Sequence, residues 1–133
     1  MSSPKLAVAV MVVNHGNKIL LVNGYTRGWE FPGGFVRKDE SIKAAGIREV
    51  KEESGINIDH LHLLGVEQIV MKSTIVFLLK ANPVSGKLSI SSETKDAGYF
   101  TIDEAKRKIT LESFKERMMR CFDAQEIPFL IEK

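Results

Sequence analysis

Cysteine occurs once in these 133 residues, at Cys121. A lone thiol excludes an internal disulfide and a cysteine-rich zinc centre and fits a reducing compartment, which makes a cytoplasmic location the expectation. An excess of one charge is also missing: 19 basic against 17 acidic side chains leave a formal charge of only +2. The basic residues are scattered rather than gathered in a stripe, so a nucleic-acid polymer is not the expected partner. Long hydrophobic runs are absent as well. The stretch from Leu6 to Val13 is too short to span a bilayer and is followed by no cleavage pattern, so it reads as a buried strand rather than a membrane segment or a leader. No repeat, linker or low-complexity tract interrupts the chain. What remains is ordinary globular composition, 44% hydrophobic and 27% charged, and the expectation of one domain over residues 1–133 with a core of its own.

Around that first strand, Asn14-His15-Gly16-Asn17 is turn chemistry, and Lys18 to Val22 is a second β-rich run, which together predict a hairpin. His15 is read as a turn residue rather than a catalytic one. Asn23 to Gly28 forms a polar loop. Downstream, Ile58 to Val66 and Glu67 to Lys80 read as two further strands. His60 and His62 alternate with Leu61 and Leu63, the pattern of a half-exposed strand rather than a metal pair. Asn82-Pro83 and Ser85-Gly86 punctuate, Lys87 to Ile90 is a short strand, and Ser91 to Phe100 is a polar loop leading into an aromatic strand. Thr101 to Glu104 is a capping box that opens a helix to about Lys108. Thr110 begins a longer helix with Leu111, Phe114, Met118 and Phe122 as its core stripe; Met118 and Met119 lining a pocket is the alternative.

The most informative stretch is Gly34 to Ile56. A loop opened by Gly33-Gly34 leads through Asp39 and Ser41, both good N-caps, into a helix that should end near Ser54, with Gly55 placed to stop it. At 3.6 residues per turn Glu49, Glu52 and Glu53 fall within an arc of roughly 100°, with Ile47 and Val50 opposite. Three acids thus gather in the last turn, where the helix dipole is already negative and Glu49 and Glu53 repel. An arrangement so placed against stability suits a bound cation, and oxygen-only ligands favour Mg2+ or Mn2+ over zinc. Taken alone, the same cluster also fits a solvated Glu/Lys face.

The wider spacing decides between them. Gly34, Glu40, Arg48-Glu49-Val50, Glu52-Glu53 and Gly55-Ile56 fall at the intervals G-x5-E-x7-R-E-U-x-E-E-x-G-U, with U a bulky aliphatic, so the chain resembles the Nudix hydrolases. Trp29-Glu30-Phe31-Pro32-Gly33-Gly34 is similar to the segment that precedes this box in the MutT branch. The resemblance implies an α/β/α sandwich around a small mixed sheet. It implies a metal set of Glu49, Glu52, Glu53, the Gly33 carbonyl and Glu93, with Asp96 the alternative to Glu93. It also implies catalytic roles for Glu52, Glu49, Arg48 and Glu40. Glu52 or Glu49 is favoured over Glu93 as the base, and Arg48 either fixes carboxylates by pairing with Glu40 or Glu52 or contacts phosphate.

The substrate side is read from neighbouring aromatic and basic residues. Arg27 is placed to meet a phosphate, and Tyr25, Trp29, Phe77 and Tyr99 are candidates for a base pocket. The proline that marks many ADP-ribose pyrophosphatases of the family would fall near Lys72, and the tyrosine of dinucleoside polyphosphate hydrolases near Thr74; neither is there. The expected activity is therefore Mg2+-dependent hydrolysis of a nucleoside triphosphate, ordinary or damaged, to monophosphate and pyrophosphate. Hydrolysis of ADP-ribose, another nucleoside diphosphate derivative or a dinucleoside polyphosphate is the alternative, and a non-catalytic nucleotide sensor the second. The partner expected is a small nucleotide, with the protein a monomer or homodimer.

Overall fold

A computed structural model describes residues 3–133. Its first strand, β1 (Lys5–Val12), is buried continuously from Val8 to Val12. A strand apolar on both faces needs a layer packed on each face of its sheet. The chain then forms β2 (Ile19–Gly24), β3 (Trp29–Glu30) and β4 (Gly33–Phe35), followed by α1 (Ile42–Ser54) and the long pair β5 (Ile56–Ile69) and β6 (Thr74–Gly86). It closes with β7 (Thr94–Phe100), α2 (Ile102–Lys108), α3 (Glu112–Phe122) and β8 (Phe129–Glu132).

Five strands make a mixed sheet in the order β4-β1-β6-β5-β8, with β1 parallel to β6 and β5 parallel to β8. The other three make an antiparallel sheet in the order β3-β2-β7. The expected β1–β2 hairpin is therefore not formed: a single bridge joins Val13 to Ile19. Ile19 to Val22 is as buried as β1. An isolated hairpin would leave a face of each run in water, whereas dividing them between two sheets covers both, at about 1.5–3 kcal/mol for each large apolar side chain buried.

Helix α1 lies on one face of the five-stranded sheet and is bounded as its sequence requires. The Ser41 hydroxyl accepts from the Ala44 N–H at 3.1 Å, and Gly55 takes the left-handed conformation (φ 80°) while its N–H donates to the Lys51 carbonyl. The helix buries Ala45, Gly46, Val50 and Ser54, and Val50 joins a cluster with Val10, Val12, Leu79 and Ala81. Ile47 stays 40% exposed, because it sits roughly a quarter turn from the centre of that face. On the other face α3 and the second sheet meet Leu64, Val76 and Leu78 through Met118, Cys121, Ile19 and Leu21. The result is the α/β/α sandwich around a mixed sheet. The α3 stripe is narrower than expected: Met118 is core, Phe114 is half-buried, and Leu111 and Phe122 are exposed.

Other boundaries move for physical reasons. Strand β5 runs through Glu67 because that carboxylate is paired rather than solvated, and the chain turns at Val70–Lys72 instead. Strand β6 continues through Pro83, since β1 ends opposite Ala81 and proline costs little where a strand is paired on one side only. Lys87 to Ile90 forms no strand, and Gly33-Gly34, read as loop, is the paired strand β4. The capping box at Thr101 and Glu104 is present with both reciprocal bonds. Among the described residues no helix is long and apolar enough to cross a membrane.

Candidate active site

The chain passes from the small sheet to the large one at Phe31-Pro32, and α1 crosses behind that step. Gly33 has no room for a side chain, since a Cβ there would overlap the Val8 carbonyl oxygen. Its N–H donates to Glu53 Oε1 at 2.7 Å. One residue on, a Cβ at Gly34 would stand 2.6 Å from Glu49 Oε2. Gly34 thus lets backbone lie directly against Glu49, while Gly33 lets β4 lie against β1 and turn its N–H to Glu53.

Arg48 organises the outer acids. Its Nε and Nη2 donate to the Glu40 carboxylate at 2.7 and 2.9 Å. Nη1 donates to Glu49 at 2.6 Å and to Glu52 at 3.3 Å, and Nη2 also reaches the Phe35 carbonyl at 3.1 Å. The expected pairing with Glu40 or Glu52 is met by both at once. The Arg48 hydrogen bonds, with a backbone bond from Arg37, hold the Glu40 carboxyl down to about 2. Glu52 is half exposed and also meets Arg37 at 3.6 Å.

Glu53 is the most perturbed acid of the group. Burial pushes its carboxyl up to about 8 against the Gly33 hydrogen bond, and the nearby charges of Glu49, Glu30 and Glu93 push the same way. Burial also raises Glu49, partly offset by Arg48, and raises Glu30 against the pull of Arg27 and Arg117. Buried carboxylates that crowd one another in this way are oxygen donors suited to a hard divalent cation. As they stand, among the described residues no three acidic, histidine or cysteine side chains close around one point.

Glu93 is exposed and borders a small acidic pocket with Glu53, Glu30, Tyr25 and Arg27. Asp96 instead accepts from the Ala97 N–H. A larger cleft of about 430 Å³ opens on the other side of Arg27 and Glu30, which line both spaces. Its floor includes Gly33, Gly34, Ala7 and Val76, and its walls Phe31 and Phe114.

The predicted aromatic residues are not all brought to this cleft. Tyr25 is 65% exposed beside the acidic pocket. Trp29 packs edge-on against Phe100, with the Lys108 ammonium over both rings. Tyr99 packs on the core beneath α1. Phe77 alternates with Val76 and so turns to the opposite face of the sheet. The residues that sequence reasoning missed are Glu30, Phe114 and Arg117. Glu30 stood in view within the W-E-F-P-G-G segment, while Arg117 shows only as a polar interruption beside the α3 stripe.

The NUDIX domain family profile matches residues 3–122. A MutT-like protein of Streptomyces ambofaciens is 29% identical over 126 residues, covering 92% of this chain and 81% of that one. An ADP-ribose pyrophosphatase of Methanocaldococcus jannaschii is 33% identical over 108 residues, covering 73% and 63%. Several other relatives are matched over less than half of their length. Among solved structures, a NUDIX hydrolase of Nitrosomonas europaea superposes with a TM-score of 0.84 at 20% identity, over all of this chain and 80% of the other. The chain belongs to the NUDIX family and is a Nudix hydrolase.

Proposed function

We propose that the protein hydrolyses a nucleoside triphosphate, ordinary or damaged, to the monophosphate and pyrophosphate. The observation that carries this reading is one continuous path: the cleft floor at Gly33-Gly34 lies directly against the α1 carboxylates, and the cleft volume of about 430 Å³ suits a single nucleoside. Glu49, Glu52, Glu53, the Gly33 carbonyl and Glu93 would hold Mg2+ or Mn2+, which supplies charge neutralisation on the phosphate oxygens.

The protein groups then divide the work. Gly33 N–H fixes the Glu53 carboxylate, and Arg48 fixes Glu49 and Glu52 while Glu40 anchors Arg48 itself. Glu52, half exposed on α1, or Glu49 about one turn away in the acid cluster, would take the proton of the attacking water. Arg27, which lines both the acidic pocket and the cleft, would meet a phosphate oxygen on leaving Glu30, its partner at 3.1 Å.

The test is a product analysis over nucleoside triphosphates, ADP-ribose, diphosphate sugars and dinucleoside polyphosphates with Mg2+. Release of pyrophosphate and monophosphate from a triphosphate, with the highest kcat/KM of the panel, is the expected result. Turnover of ADP-ribose or a dinucleotide with kcat/KM far above every triphosphate would overturn the substrate class.

A further inference from the structure

The end of the cleft away from the α1 acids is basic beyond the needs of a neutral base. Lys72, Lys133 and Arg117 line it. The carboxylate behind them, Glu67, is fully buried, and its Oε1 accepts from Arg117 Nε at 3.0 Å and Nη2 at 2.8 Å. Lys133 Nζ stands 3.6 Å from the same oxygen, and Arg120 Nη1 3.8 Å from Oε2. Three cations therefore gather on Glu67: Arg117 and Lys133 at the cleft and Arg120 on the far side of α3. Among the described residues both Glu67 Oε2 and Arg120 Nη1 are buried without a hydrogen-bond partner. Lys72 adds a fourth cation, exposed and without an ion pair among the described residues.

Arg27 and Glu30, paired at 3.1 Å, cancel within the same cleft, and although Glu30 also faces Arg117, Lys72 and Lys133 keep the lining positive. Thr74 does not soften it, since its hydroxyl donates to the Lys72 carbonyl. A surplus of positive charge in a partly dry wall is costly alone and is relieved by an arriving anion. A neutral base needs donors and acceptors but no such surplus.

The position of this wall sets which part of a ligand meets it. Gly33 pairs with Ala9, and Thr74 with Lys5, four residues back along β1. At ~3.3 Å per residue the basic end therefore lies about 13 Å along the sheet from the glycine step, a span that lysine side chains shorten. A nucleotide whose anhydride met the glycine step would therefore present its nucleoside end to the basic wall.

We propose that the cleft selects nucleotides bearing a second phosphoryl group on the ribose, which Lys72 and Arg117 bind while the α1 acids address the anhydride. The proposal rests on the nucleotide reading of the cleft but not on the identity of the bond cleaved.

The experiment is calorimetric binding in EDTA of adenosine 5′-monophosphate, adenosine 3′,5′-bisphosphate and adenosine 2′,5′-bisphosphate to the wild type, Lys72→Gln and Lys72→Arg. Lys72 is exposed, so the variants should fold, and their melting curves check this. At least one bisphosphate is expected to bind tenfold or more tightly than the monophosphate. That advantage should fall below threefold in Lys72→Gln, return in Lys72→Arg and shrink with salt. Equal binding of all three ligands, or an advantage untouched by Lys72→Gln, overturns the proposal. Because binding without metal is the readout, a failure of the triphosphate assignment shows up separately, in the hydrolysis panel.

Discussion

Gly34 and Glu49 are in such close register that a methyl group on the first would stand 2.6 Å from the carboxylate of the second. Strand β4 and helix α1 are thus locked face to face at the point where the acids meet the cleft, and the consequences can be measured residue by residue.

Gly34→Ala should displace the Glu49 carboxylate, which is the end of a movable side chain, and lower kcat about tenfold or more with little loss of stability. Gly33→Ala should instead weaken the β4–β1 pairing, because its added Cβ meets the Val8 carbonyl, part of the backbone. Melting temperatures and kcat measured side by side distinguish the two. Equal loss of stability in both variants would contradict the assignment.

Glu52→Gln should lower kcat at least about a hundredfold while the fold survives. The side chain is 46% exposed and, among the described residues, pairs with Arg48 and Arg37, so its neutralisation takes away chemistry rather than packing. Near-normal turnover of the variant in Mg2+ would remove Glu52 from the mechanism.

Divalent metal should stabilise the protein, since ions that bind only the folded state add RT ln(1 + [L]/Kd) and also relieve repulsion among Glu49, Glu53 and Glu93. Melting in millimolar Mg2+ should exceed melting in EDTA by several degrees. Coincident curves would argue against ion binding by these residues.

In EDTA the Glu53 carboxyl, raised to about 8 in the fold from an ordinary 4.5, keeps its proton in the native state over a range where the unfolded chain has lost it. The folded state therefore binds more protons between these values, and this residue's contribution to stability falls as pH rises from about 4.5 to about 8. The wild type should lose stability across that window relative to Glu53→Gln, by on the order of a few kcal/mol. Parallel pH–stability curves for the two proteins would refute the shift.

Glu67→Gln should destabilise the fold by about 3 kcal/mol or more, because it strips the one anion from Arg117, Arg120 and Lys133 without removing their charges. Chemical denaturation measures it directly, and a variant as stable as the wild type would mean that the cluster is solvated.

Local chemistry was legible in the sequence wherever it acts through short spacings. The Ser41 hydroxyl caps the start of α1, Gly55 ends it because the missing Cβ permits a left-handed backbone, Thr101 and Glu104 make the capping box, and the Arg48–Glu52 pair follows from one helical turn. The fold class came with the family resemblance that the box carries, not from the spacing itself, which specifies only a glycine step, a helix and its stop. Pairing of β1 with β6 was not legible, since 69 residues separate partners such as Val12 and Ala81, and no local signal tells a buried strand which neighbour it will pair with. The same limit hid the cleft. Arg117 and Glu67 lie 50 residues apart, and only the packing of α3 on β5 brings a guanidinium and a carboxylate together behind the basic wall; it is likewise strand alternation within the assembled sheet that turns Phe77 away from the cleft and leaves Phe114 beside it.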